Sequence, residues 1–84
     1  MPRYYFQVYN ETGFAPDEEG AELSDIAVAL GRARKTVADI IAEEVANGRD
    51  EAMVRIHIDD DEQRQLATVI GKATVTVSTA PPTH

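Results

Sequence analysis

Apolar positions along this chain follow two periods, one helical and one alternating. Over residues 25–47 the period is helical. At about 100° per residue, Leu30, Ala33, Val37, Ile40 and Ile41 fall within roughly 60° of Ile26, with Ala29 joining from the other side. Arg32, Lys35, Thr36, Asp39 and Glu43 occupy the opposite half and should face water. The pattern predicts one long amphipathic helix that packs its apolar stripe on a sheet or a second helix. Ser24 or Asp25 can cap its first free N–H groups, and Asp25 also suits the positive helix end. Asn47-Gly48 supplies a left-handed stop. Gly31 costs about 1 kcal/mol relative to Ala and reads as a tolerated defect rather than a place of close backbone approach. Glu44 projects into the apolar arc, where an unpaired carboxylate is costly. It is expected to be solvated on an overhanging last turn, with an ion pair to Arg34, Arg55 or a second subunit as the alternative. Twenty-three helical residues span roughly 34 Å, against about 17–20 Å for a typical strand. The helix should therefore project past its sheet or find cover in a dimer.

Elsewhere the period is two. Residues 3–9 form the first strand, with Tyr4, Phe6 and Val8 under the helix and Arg3, Tyr5, Gln7 and Tyr9 on the other face. Asn10-Glu11-Thr12-Gly13 is a turn, followed by Phe14 and an acidic loop at 17–20. Ala21, Glu22 and Leu23 form a short extended piece. After a loop at 48–51, residues 52–58 are a strand with Val54, Ile56 and Ile58 inward and Met53, Arg55 and His57 outward. Residues 59–64 turn the chain, and 65–70 return antiparallel. Gly71-Lys72 reads as a bulge or tight turn. Residues 73–78 are a last strand, with Val75 and Val77 inward and Thr74 and Thr76 outward. The fold class is α+β: one long helix on one face of a three- to four-stranded antiparallel sheet, in the order β-α-β-β. Residues 1–78 make the single domain and 79–84 a flexible tail.

Several stretches of the chain also carry a resemblance. The opening M-P-R-Y-Y-F, the D-E-E-G-A-E-L-S-D run at 17–25, a long helix ending near N-G-R, and a closing hairpin are similar to those of a family of small bacterial domains of unknown function. The resemblance extends to about Val77. Two departures stand out: Ser24 where the family usually has proline, and a 59–64 hairpin without the usual glycine. The resemblance implies the architecture and no activity.

Charge and composition narrow the functional classes. Eighty-four residues with 43% hydrophobic content suit one small domain. A net charge of −7 disfavours broad binding to nucleic acid or to an anionic membrane. With no cysteine there is no disulfide or thiolate site. No apolar run approaches the roughly 20 residues of a membrane span, and no leader pattern opens the chain. A cytoplasmic location is expected.

Nothing predicted covers the second face of the sheet, which would display Arg3, Tyr5, Gln7, Tyr9, Arg55 and His57 as a candidate interaction face. Aromatics between basic residues suit base stacking on single-stranded nucleic acid, but the overall charge opposes it. Tyr and Arg equally suit a protein interface. A homodimer is the favoured use of the surplus surface, with an antitoxin-like or adaptor domain masking a basic protein as the rival. No cofactor is expected, and no metal site: the acidic runs at 17–20 and 59–62 read as solvated turns, although a weak calcium site between them is conceivable. His57 has Asp59 two residues away on the same strand face, but no nucleophile or glycine-rich loop accompanies them. The sequence argues against an enzyme.

Overall fold

Alternation at Tyr4, Phe6 and Val8 produces the first strand, β1 (Arg3–Asn10), with Tyr4 buried and the other two packed against the same core. The computed structural model describes residues 1–81. After β1 come β2 (Gly13–Ala15), β3 (Ala21–Glu22), α1 (Ile26–Ala46), β4 (Glu51–Asp59) and β5 (Gln65–Thr74). The sheet is antiparallel and five-stranded, in the order β2-β1-β4-β5, with β3 pairing the start of β1. One helix on such a sheet is the α+β arrangement predicted; β3 falls in the short extended piece expected at 21–23, and β2 is added.

Those two strands follow from a tight hairpin. Asn10 pairs with Gly13 and Tyr9 with Phe14, so Glu11 and Thr12 alone turn the chain. The Asn10 side chain accepts from the Thr12 N–H at 2.9 Å and holds that turn. The chain then runs back along β1, pairing Tyr4 with Ala21 and Arg3 with Glu22, and the Leu23 N–H donates to the Pro2 carbonyl.

Both helix ends are capped. Asp25, not Ser24, is the N-cap, its carboxylate accepting from the Val28 N–H at 3.0 Å. At the other end Gly48, with φ +96°, takes the left-handed position. Its N–H donates to Val45 and the Arg49 N–H to Glu44, a Schellman arrangement. Ala29, Ala33 and Val37 are buried, and Leu30, Ile40 and Ile41 complete the stripe. Ile26, expected in that stripe, is 38% exposed and stands outside the buried core. Gly31 has open space around its Cα, which makes it the tolerated defect.

The expected overhang does not occur. The 21 helical residues span roughly 32 Å. β4 and β5, with 9 and 10 residues, reach about 31–34 Å and match the helix. Both strands are longer than the typical strand of about 17–20 Å. One carboxylate oxygen of Glu44 is buried with no hydrogen-bond partner among the described residues. No ion pair joins it to Arg34 or Arg55 among the described residues. An unpaired acceptor in that place destabilises the fold. Glu44→Leu should raise stability by about 1 kcal/mol, read as a higher urea midpoint with an unchanged slope.

Gly71 corrects a second expectation. It is neither a bulge nor a turn but lies inside β5 opposite Val54, and β5 runs on to Thr74. The register shift falls instead at Ile58/Asp59. A Cβ on Gly71 would collide with Val37 Cγ1 and approach Ile41 Cδ1 to 2.7 Å. The glycine lets the helix come down on the sheet. The separate last strand over 73–78 is thus the end of β5 for its first two residues. The Val75 N–H donates to the Asp50 carbonyl at 2.7 Å and Val75 is half-buried, whereas Val77 is exposed rather than inward. Residues 79–81 carry no regular structure, and 82–84 lie outside the described residues.

Candidate interaction face

The side of the sheet away from α1 is built by alternation and register. Phe14, Tyr9, Arg55 and Ile70 are consecutive cross-strand partners and form one row across β2, β1, β4 and β5. Gln7, His57 and Thr68 form the next row. Tyr9 is the hub of this surface. Its ring stacks on Phe14 with centroids 4.5 Å apart, the Arg55 guanidinium lies 4.8 Å above it, and the His57 ring lies 4.9 Å away. These are ordinary geometries for aromatic and cation–π attraction. Phe14, Met53, Leu66 and Ile70 all leave substantial apolar surface on this face.

Of the six residues predicted for the face, Tyr9, Arg55 and His57 come together as a cluster. Arg3, Tyr5 and Gln7 do not join it, because the 16–20 loop folds against them. Gln7 clamps the backbone of Asp17, donating to its carbonyl at 3.4 Å and accepting from its N–H at 3.0 Å. Arg3 donates to the Glu19 carbonyl and pairs with Glu22 at 3.1 Å. Gly20, at φ +70°, sits so close to Tyr5 that an added Cβ would lie 2.9 Å from its ring. Part of the chain thus covers this end of the face, contrary to the expectation that nothing could. Phe14 was missed. The signal was present in Asn10-Glu11-Thr12-Gly13, since a two-residue turn there puts Phe14 opposite Tyr9.

The acidic loops have structural uses. Asp17 Oδ2 accepts from the Phe6 N–H at 3.0 Å, and Oδ1 accepts from the N–H groups of Gly20 and Glu19. It thereby fills the gap between β2 and β3 along the β1 edge. Burial pushes the Asp17 carboxyl up, but those three N–H donors and the nearby Arg32 charge outweigh it and hold the pKa below the ordinary aspartate value. Asp60 does the same for the β4–β5 turn. Its carboxylate accepts from the N–H groups of Arg64 and Glu62 and from the Arg64 guanidinium. These bonds, the Arg64 N–H first, lower its pKa. They also explain how Gln63 takes φ +64° where glycine is usual.

A depression of about 350 Å³ lies between the loops, lined by Tyr5, Gln7, Asp17, Glu18, Asp59, Asp60, Asp61 and Gln63. Asp17 and Asp60 are occupied as acceptors. Among the described residues no three His, Cys, Asp or Glu side chains are grouped so as to hold a metal ion. His57 spends its ring on Tyr9, and no hydrogen bond joins it to Asp59 among the described residues.

Fold and face together define a single-helix α+β domain whose sheet is covered on one side. The chain belongs to the family described as Domain of unknown function (DUF6894), whose profile matches residues 3–71. No curated protein and no solved structure matches the chain. The family match ends at Gly71, short of Val77. No helix among the described residues is long and apolar enough to cross a membrane.

Proposed function

We propose that this domain is a non-enzymatic interaction module that associates with itself. The observation that carries this reading is a sheet with a long free edge and one largely uncovered face. Beyond β5 no strand pairs among the described residues, and Phe14, Met53, Leu66 and Ile70 stay exposed on the uncovered side. A small domain gains core and closes edges by joining a copy of itself. The internal stacking of Tyr9 with Phe14 and Arg55 leaves these groups less free as a platform for bases, and the net charge of −7 opposes a polyanion. Both favour a protein partner over nucleic acid.

Sedimentation velocity over about 10–200 µM, a range that brackets weak and moderate dimers, tests the reading. The expected result is a concentration-dependent shift to twice the 9.2 kDa chain mass. A single monomeric species across the range would remove it.

A further inference from the structure

Resting on that reading, we propose that the second copy joins at β5 and at the small-residue flank of α1, forming one continuous sheet with the two helices side by side. The two edges of the sheet differ. The β1 edge is closed throughout: β2 covers Val8–Asn10, Asp17 takes the Phe6 N–H, and β3 covers Arg3 and Tyr4. Among the described residues the β5 edge runs ten residues with a partner on one side only. It also lacks the usual protections, having no proline, no carboxylate and one charged residue, Lys72. In a chain of charge −7, a ten-residue edge without a carboxylate is where two copies repel least.

The helix has a matching asymmetry. α1 packs on β4 and β5. Its flank toward β1 carries Arg32, whose guanidinium lies 5.6 Å above the Phe6 ring, and on the same side Thr36 and Glu43. At about 100° per residue, the flank toward β5 carries Ala27, Gly31, Arg34, Ala38 and Ala42, with Val45 at the same angle as Ala27. Arg34, Lys35, Val37 and Ala38 line a groove together with Val69 and Ile70 of β5. Of the flank positions, all but the half-buried Val45 are exposed.

Spacing connects the edge to the flank. Strands pair about 4.8 Å apart. With α1 centred over β4 and β5, pairing β5 with its own copy sets the two helix axes about 9.6 Å apart. Packed helices lie about 8–10 Å apart, closest when small residues face each other. A two-fold axis perpendicular to the sheet requires one strand residue to pair with itself, and Ile70 is near the middle of β5. Val37 sits over neighbouring Gly71, so the same axis passes close to Ala38. Lys72 then faces Thr68 of the second copy. The two lysines stand about 14 Å apart, beyond the roughly 8 Å screening length at physiological salt.

Ala38→Glu tests this, because the side chain enters solvent in the monomer and meets its own copy in the dimer. The expected result is at least a tenfold weaker dimer (about 1.4 kcal/mol or more) with helix content unchanged. Glu43→Lys on the opposite flank should dimerise like the parent. Hydrogen exchange of the unmodified protein gives a second readout: amides of residues 65–74 should gain protection as concentration rises. A dimer that survives Ala38→Glu, or shows no such gain over 65–74, would overturn the proposed interface while leaving self-association intact. Loss of the dimer on Tyr9→Ala but not Ala38→Glu would move the interface to the open face. A monomer at all concentrations would remove both readings.

Discussion

Gly71→Ala should destabilise the domain by about 1–3 kcal/mol, the usual cost of forcing extra volume into a packed site. In a domain of this size that lowers the melting temperature by roughly 4–8 °C per kcal/mol. The added Cβ would strike Val37 Cγ1, and Val37 is stiff about its first side-chain torsion and buried. Ile41 Cδ1, 2.7 Å away, is the end of a longer side chain and can move aside. The helix must therefore lift, or Val37 must leave its rotamer. The check is a double-mutant cycle with Val37→Ala. Each substitution should destabilise alone, and the pair should lose less than their sum, because Val37→Ala makes room for the new methyl. A Gly71→Ala variant as stable as the parent would place Gly71 outside the helix contact, as a turn or bulge would.

Asp17→Asn should cost about 1–3 kcal/mol at neutral pH, since it disturbs several backbone hydrogen bonds at once. Asp17 accepts from Phe6, Gly20 and Glu19 with both oxygens, and an amide must turn an N–H₂ group toward one of these donors. The loop against Tyr5 and Gln7 should loosen, and the Phe6 N–H should lose protection from exchange. The pH dependence has a definite sign. The folded pKa of Asp17 is depressed below the ordinary 3.8, so its contribution is complete above that value and lost as pH falls through the folded pKa. Asp60 adds to the same acid loss. The stability gap between parent and Asp17→Asn should therefore be widest near neutrality and narrow below pH 3.8. A gap that stays constant into acid would mean that the Asp17 charge contributes nothing to holding the loop.

The acidic runs show how one residue type can have two roles that composition cannot separate. Read as strings, 17–20 and 59–62 are solvated charge. In the fold, Asp17 and Asp60 are backbone acceptors that hold a strand edge and a hairpin, while Glu18 and Asp61 stay exposed. Which carboxylate becomes structural depends on where unpaired N–H groups fall. That is settled only when β1 and β4 find their neighbours. The short β2 strand, and the pairing of the extended piece at 21–23, were hard to see for the same reason. Three- and two-residue strands carry no period of their own, and only the exposed β1 edge makes them strands.

The candidate face was half legible. Alternation correctly put Tyr9, Arg55 and His57 on one side, because period-two patterning of side chains is a local property of a strand. It could not say that Gln7 and Arg3 would be spent on the 16–20 loop, or that Phe14 would stack on Tyr9. Those outcomes need contacts between distant parts of the chain.

By itself the sequence determined the long amphipathic helix with its Gly48 stop and an N-cap narrowed to Ser24 or Asp25, the inward faces of β1 and β4, and the α+β class. Each rests on local chemistry: a repeat of apolar positions, a capping side chain, a left-handed glycine. Tertiary structure alone decided the length match of helix and sheet, the unpartnered oxygen of Glu44, and the place of Gly71. A glycine within an alternating run fits a turn, a bulge or a close approach equally well. Only the arrival of Val37 and Ile41 above it makes the choice.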